Sequence, residues 1–457
     1  MQNRNGIQKK SLLISFLFLS VITPFFPALI GVLVIIILLY SIRDIPFQRI
    51  NYYLFIGVVI SGFFGPYLAL PEFPSIFLFR VLIILHMICF LLEKKDFNKL
   101  GRVKIPLLLF AIWILYSIMS LLWTSAPALS LTAIYYQIES FYLILAFVYY
   151  IDNFAKLKQV VIWMVGIYVL TIFIGLGESF TGHHLKYSAG NILSYGDTRP
   201  TGLLVNTNDY SSYLAFYVPF LMLCLFQKRS GLKMCTGIGA LMALTFLILQ
   251  TESRSGLVAF AVVVVLTLYK LFAHKVLFFF GVFMTAFASL TLFLVKNSAQ
   301  VNEYFHGKVN STNQRIFIYE TIWRLCQEHH YLGVGIGVTP KFVFTALYGT
   351  ANIPMGMQQT MSAHNLWLSN LSDVGLLGIF PFILCFLWFL IHAMKVYAAN
   401  QGLLSATPLC ILIAFMAISV GSSSIFEMRV VWLGMGLALT IIHLLTKERE
   451  KKYEQAT

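Results

Sequence analysis

Apolar positions in this chain neither alternate nor form a one-sided stripe. They run together in stretches of roughly 16–22 residues, the length that crosses a bilayer core. Such runs lie near 11–23, 27–43, 52–70, 75–92, 104–123, 134–151, 158–177, 209–226, 232–250, 255–273, 276–295, 375–397, 404–422 and 427–446. The first pair is one run broken by Pro24 and Pro27, which predicts a tight hairpin. Two long polar stretches, about 178–208 and 296–363, interrupt the series. The pattern predicts an all-α polytopic integral membrane protein, a bundle of about 12–14 transmembrane helices with a large outer loop carrying amphipathic helices.

Composition agrees: 59% of the 457 residues are hydrophobic, 11% are charged, and mean hydropathy is +0.82. A soluble domain could not hide that much apolar surface. Cys89, Cys224, Cys235, Cys385 and Cys410 lie in apolar segments and only Cys326 in a polar loop, so neither a disulfide framework nor a zinc spacing is present. The first run has no small-residue cleavage site and reads as a retained anchor.

A formal charge of +14 could suggest nucleic acid. Loop asymmetry explains it better, leaving the bilayer as the expected partner and no nucleic acid. With both termini cytoplasmic, the basic loops 1–10, 43–51, 93–104, 152–158, 227–233, 270–275 and 447–457 fall on one side. Counting Lys395, that side holds 22 of the 32 Lys and Arg residues. The expected organisation is membrane helices over 1–295 with an outer loop at 178–208, a large extracytoplasmic loop at 296–363, and C-terminal membrane helices over 364–457. The long loops then face outward from a cytoplasmic (inner) membrane. No internal repeat marks an inverted-repeat transporter.

Six of the ten outward cations are Arg: Arg80, Arg199, Arg254, Arg315, Arg324 and Arg429. Only six of the 22 inward ones are. Lys suffices as a topology signal, whereas the planar guanidinium fork suits phosphate or carboxylate. In "DTRPTGLLVNTNDYSSYLAF" (197–216), Arg199 stands by a Pro200–Gly202 turn, and Asn208 or Asp209 is positioned to cap a helix starting near Tyr210. Asn206 and Asn208 are either loop-stiffening groups or ligand contacts. In "LQTESRSGLVAF" (249–260), Arg254 opens a span where a cation opposes the helix dipole. Either Glu252 compensates it or an anion sits there, and a helix start with a guanidinium suits a diphosphate.

In "NSTNQRIFIYETIWRLCQEHHYLGVGIG" (310–337), Ser311 or Thr312 is expected to cap an amphipathic interfacial helix with Arg315 in its first turn. Its apolar positions are Ile316, Tyr319, Ile322, Trp323 and Cys326, Tyr319 and Trp323 reading as interfacial anchors, and Gly333, Gly335 and Gly337 end it. In "MSAHNLWLSNLSDVGLLG" (361–378), His364, Leu368, Leu371, Gly375 and Gly378 share one helical face, with the glycines allowing close packing. Asn365, Ser369 and Ser372 line a second face too polar for lipid. His364 so placed heads a packed helix and faces a protected outer cavity, where a neutral imidazole can accept a proton from a sugar hydroxyl. No DxD and no Mg²⁺-holding carboxylate cluster occurs, so no metal and no other cofactor is expected. Charge on a phosphate would fall to arginine.

At these residues the chain resembles the O-antigen ligase / O-antigen polymerase superfamily of bacterial membrane glycosyltransferases. The matching pieces are Arg199, Gly202, Asn206 and Asn208; Ser253 to Gly256; Arg315 to Gly337; and His364 to Gly378. Such proteins look like bundles of about twelve spans, against the fourteen runs counted above. The resemblance implies a donor oligosaccharide on undecaprenyl diphosphate and a glycan or lipid-linked acceptor, joined at the periplasmic or extracellular face. It implies that Arg254 and Arg315 grip the diphosphate, that Arg199 assists, and that His364 is the base. Asn206, Asn208, Arg80 and Asn365 complete the expected substrate contacts.

A polymerase of cell-surface repeat units is preferred over a ligase, because nothing signals a dedicated large acceptor. An exporter or flippase should carry charge near the midplane on broken helices, and here charge crowds the rim. Arg80 and His86, inside an apolar run, are the contrary observation, read as outward-reaching and packed respectively. A peptidoglycan polymerase of the shape and division type is disfavoured by the lack of an acidic signature in the outer loop.

Overall fold

The computed structural model describes residues 46–70, 73–188, 198–226, 231–272, 299–349, 360–400, 402–421 and 425–455. The expected spans near 11–23, 27–43 and 276–295, with the Pro24–Pro27 hairpin, lie outside the described residues. Contacts divide the chain into two units, Met1–Val58 with Val81–Lys95, and Val59–Arg80 with Asp96–Thr457.

The helices are α1 (Phe47–Phe64), α2 (Leu78–Leu92), α3 (Lys104–Met119), α4 (Pro127–Tyr150), α5 (Phe154–Thr181), α6 (Thr207–Phe226) and α7 (Gly231–Gln250). They continue as α8 (Arg254–Phe272), α9 (Ala299–Glu328), α10 (Thr339–Tyr348), α11 (Leu366–Ala399), α12 (Leu403–Ile418) and α13 (Arg429–Glu454). Among the described residues nine helices are long and apolar enough to span a bilayer, with α2 and α12 as shorter apolar helices. All eleven fall on runs expected from the sequence. The protein is an all-α polytopic membrane protein. One departure from helix is a short antiparallel pair, β1 (Ala69–Leu70) with β2 (Phe73–Phe77).

Within the first unit, Asn51 donates to Glu93 at 2.7 Å, and the buried His86 ring lies 6.0 Å from that of Phe55. The expectation of a packed His86 holds. In the second unit, α6 and α13 are the innermost helices, with Tyr210, Tyr213, Tyr217, Val431 and Trp432 almost wholly buried. An apolar interior leaves no water for a phenol, so the Tyr210 and Tyr217 hydroxyls find backbone carbonyls. Tyr210 donates to Thr171 at 2.9 Å and Tyr217 to Val430 at 2.6 Å. Glycine lets the α8 backbone close on α6, because a Cβ at Gly256 would strike Ser211.

The main irregularity in this unit is a break in α11. Gly375 has φ 67° and ψ −174°, a conformation essentially reserved for glycine. The stretch after α9, with positive φ at Gly333, Gly335 and Gly337, inserts against this break. Val334 N–H donates to the Ser372 carbonyl (3.0 Å), Gly335 N–H to Asp373 (2.9 Å), and Leu376 N–H to Tyr331 (2.9 Å). The Asp373 carboxylate accepts from Gly337 N–H and Thr339 N–H, both at 2.9 Å, and from the Thr339 hydroxyl at 2.6 Å. Non-helical backbone at membrane depth survives only where protein satisfies its polar groups, and this glycine loop does so. The glycines therefore do more than end a helix. The shared face expected for Leu368, Leu371, Gly375 and Gly378 is interrupted: Gly375 abuts Tyr331 and Leu332, and Gly378 abuts Tyr116 of α3.

Helix α9 also departs from expectation. It begins at Ala299 and not at a Ser311 or Thr312 cap, so Arg315 lies mid-helix. A capping preference of about 1 kcal/mol is easily overridden by a helix that continues. The buried face is Ile318, Ile322, Leu325 and Cys326, while Ile316 and Trp323 are exposed. The helix is amphipathic, as expected, but rotated from the expected face.

Candidate functional site

The residues just ahead of α11 present the imidazole. Asn365 is the N-cap, its side-chain oxygen accepting from Trp367 N–H and Leu368 N–H at 3.1 Å each. His364 therefore precedes the helix and does not head it, with a left-handed φ of 50°. Its N–H donates to the Ser362 hydroxyl at 3.2 Å, and its carbonyl accepts from the Tyr319 hydroxyl at 3.4 Å. The start of α11 is docked on the end of α12, since Leu366 N–H donates to the Ser419 carbonyl at 2.8 Å and the Trp367 indole to the Ser419 hydroxyl at 2.8 Å.

This mounting sets the ring's surroundings. The ring lies close to the Gly421 backbone, and its Nδ1 is buried with no hydrogen-bond partner. Burial lowers the His364 pKa from its ordinary value, the Arg315 guanidinium lowers it further, and the Gly421 backbone opposes both. A neutral imidazole at pH 7 follows.

Packing puts Arg315 within electrostatic reach of the ring, and the α8 start that carries Arg254 against the Gly421 turn. Arg315 lies one helical turn before Tyr319, which holds the His364 backbone, and its charge is felt at the ring. Arg254 opens α8, where Ser253 accepts Leu257 N–H at 3.1 Å. The next residue, Ser255, lies against Gly421, so the α8 start and His364 flank the same turn. Arg199 lies 3.9 Å from Glu252 in the turn just before α8. It has a carboxylate neighbour that local sequence did not show, and an exposed pair of this kind is weak.

The other candidates divide. Asn206, and not Asn208 or Asp209, caps α6, which begins at Thr207 and not near Tyr210. Its Oδ1 accepts Asp209 N–H at 2.8 Å and its Nδ2 donates to the Asp209 carboxylate at 2.6 Å. The Asn206 side chain thus holds the loop, and Asn208 sits half-buried in the first turn of α6. Arg80 does not simply reach outward: its guanidinium lies 4.8 Å from the Phe77 ring and 5.8 Å from the Tyr135 ring. Arg429 pairs at 3.2 Å with Glu139, a buried acid in α4 that the sequence reading did not single out. Among the described residues no cluster of three His, Cys, Asp or Glu side chains is placed to hold a metal.

A cavity of about 350 Å³ opens beneath His364, lined by α4, the Gly337 turn, the first turns of α11 and the Ile425–Glu427 turn. Asn365 and Ser369 line it, as their polar face foretold, and Ser372 is buried nearby. Tyr136, Gln137, Asn370, Asp373 and Glu427 also line it and were missed. A polar residue inside a membrane span is itself a functional signal, and that rule would have found Gln137 and Asn370.

Residues 238–383 match the family model described as O-antigen ligase. Over 417 residues the chain is 24% identical to the teichuronic acid biosynthesis protein TuaE of Bacillus subtilis (strain 168), covering 85% of this chain and 83% of that protein. Both likenesses support the resemblance to the O-antigen ligase / O-antigen polymerase superfamily. Arg254, Arg315, His364 and the braced break at Gly375 all fall inside the matched family segment. Arg80, Arg199, Asn206, Asn208 and Gln137 lie outside it, so the cavity wall contributed by α4 is built from a different part of the chain.

Proposed function

We propose that the protein is an inverting glycosyltransferase that moves a glycan from undecaprenyl diphosphate to an acceptor sugar hydroxyl, polymerising a cell-surface polysaccharide of the teichuronic-acid type. The observation that carries the reading is His364, a shielded imidazole at the mouth of a polar cavity and within electrostatic reach of Arg315. The acceptor oxygen attacks the anomeric carbon, and its proton passes to the imidazole of His364. The anomeric C–O bond breaks, and the carrier diphosphate leaves with the electron pair. Arg254 and Arg315 meet its charge in place of a metal, with Arg199 assisting. Displacement in one step inverts the anomeric centre.

The asymmetry of the basic loops supports an outward-facing site on the cytoplasmic membrane, with both termini inside. The similarity to a teichuronic acid biosynthesis protein supports a polymer of that class. The description of the matching family favours a second reading, in which the finished glycan is ligated to a lipid core or another acceptor. The glycan of a deletion strain separates them. Single repeat units in place of polymer indicate polymerisation, polymer retained on its carrier indicates ligation, and normal glycan with unaltered chain length contradicts both.

The pH profile is a sharper test of the base. His364 must be neutral to accept a proton, and its pKa lies below the ordinary 6.5. The turnover at saturating donor therefore holds at neutral pH and falls as the ring protonates, with the midpoint of that acid limb below 6.5. In Arg315→Gln the neighbouring charge is gone, protonation becomes easier, and this acid limb moves up in pH. An acid limb that does not move would remove His364 from the profile.

A further inference from the structure

We propose that Gln137 and Asn370 form a binding subsite for a neutral sugar ring of the acceptor, next to the hydroxyl that reacts. The inference rests on the glycosyltransferase reading and names the part of the site that reading leaves open. Gln137 is 1% exposed and Asn370 2% exposed, and both line the cavity below His364. Neither end of either carboxamide makes a hydrogen bond to the protein: Oε1 and Nε2 of Gln137 and Oδ1 and Nδ2 of Asn370 are all without partners. Buried polar atoms are nearly always paired, and two whole carboxamides unpaired at one cavity mark a place built for a ligand.

The chemistry of the pair selects that ligand. Each carboxamide offers one acceptor and a donor group, the match for a hydroxyl that both gives and takes a proton. A diphosphate wants donors and positive charge, which the arginine-bearing helices supply elsewhere. The Glu427 side of the same cavity adds a further acceptor unsuited to an anion. His364 reaches the acceptor's hydroxyl, so the ring beneath it is the acceptor's and not the donor's. A volume of about 350 Å³ is near the lower bound of small-molecule sites, about 300 Å³, and takes a short piece of glycan only.

The test uses purified full-length protein and oligosaccharides released by mild acid from the polysaccharide of the host strain. Binding of these oligosaccharides is measured directly in wild type, Gln137→Leu and Asn370→Leu, with inorganic pyrophosphate as the charged probe. We expect each variant to weaken oligosaccharide binding at least about tenfold, as loss of hydrogen bonds to a ligand hydroxyl does. Pyrophosphate binding should stay within about twofold. Steady-state kinetics should show acceptor KM rising with donor KM unchanged. The variants should melt no lower than wild type, because the lost groups hold nothing in the free protein. Lower melting temperatures with unchanged oligosaccharide binding would make the carboxamides structural and overturn the proposal. A rise in donor KM alone would overturn the acceptor assignment. Pyrophosphate binding indifferent to Arg254→Gln and Arg315→Gln would instead overturn the underlying reading, an outcome separable from either.

Discussion

Replacing His364 by asparagine or alanine lowers transfer from a lipid-linked donor by about 10²- to 10⁴-fold, the usual contribution of a positioned general base. Donor affinity should change little, because the diphosphate is assigned to the arginines and not to the ring. Asparagine is the cleaner variant. It tolerates the left-handed φ of 50° at this position, so the loop ahead of α11 keeps its path. The loss is specific to the proton-accepting nitrogen: Asn365 still caps the helix, and Tyr319 still holds the backbone carbonyl at position 364. Purified protein assayed in detergent with saturating donor measures it, and transfer at the normal rate in both variants would exclude the base role.

The second large effect is on folding. Gly375→Ala forces a Cβ onto the Tyr331 and Leu332 backbone at a φ/ψ pair that side chains avoid. Backbone strain of about 1–3 kcal/mol and overpacking of similar size add to about 3–5 kcal/mol. That penalty falls on the junction where the glycine loop satisfies the broken helix and where Asp373 gathers three donors. A sharp loss of extractable, monodisperse protein is expected. The control is Gly177→Ala in α5, where a new Cβ meets nothing within 4 Å and stability should be kept or slightly raised. Equal thermal melting of the two variants would show that the break in α11 is not the braced joint described here.

Much of this fold was legible because a bilayer leaves the chain little choice. Every apolar run on the described residues carries a helix, since an unpaired backbone in hydrocarbon costs too much for any alternative. The break at Gly375 was not legible. Leucine, glycine and phenylalanine around it read as one continuous span, and only contact with residues 331–339 some forty positions earlier shows why the helix opens. The start of α9 was misread for a simpler reason: Ser311 and Thr312 are good caps but need not act as caps within a longer helix.

The site divides along the same line. The histidine, the arginine at the α8 start and the polar face of α11 followed from residue type and local position. Arg315 was selected on a helix-start argument that does not hold, yet packing of α9 through Tyr319 brings its charge to His364 all the same. Asn206 shows the converse, a motif residue whose side chain is committed to a cap. Gln137 lay inside an apolar run and Asn370 just ahead of one, and both became visible only when α4 and α11 were seen to share a cavity.

The central claim is that two guanidinium groups from separate helices serve one carrier diphosphate beside His364. A double-mutant cycle on full-length protein tests it most directly, with kcat/KM for the lipid-linked donor measured in wild type, Arg254→Gln, Arg315→Gln and the pair. Each single variant should lose at least about tenfold, in line with a charged hydrogen bond removed. The double variant should lose less than the product of the two, because neighbours on one ligand do not act independently. Losses that multiply in full, or a single variant that transfers like wild type, would contradict the account.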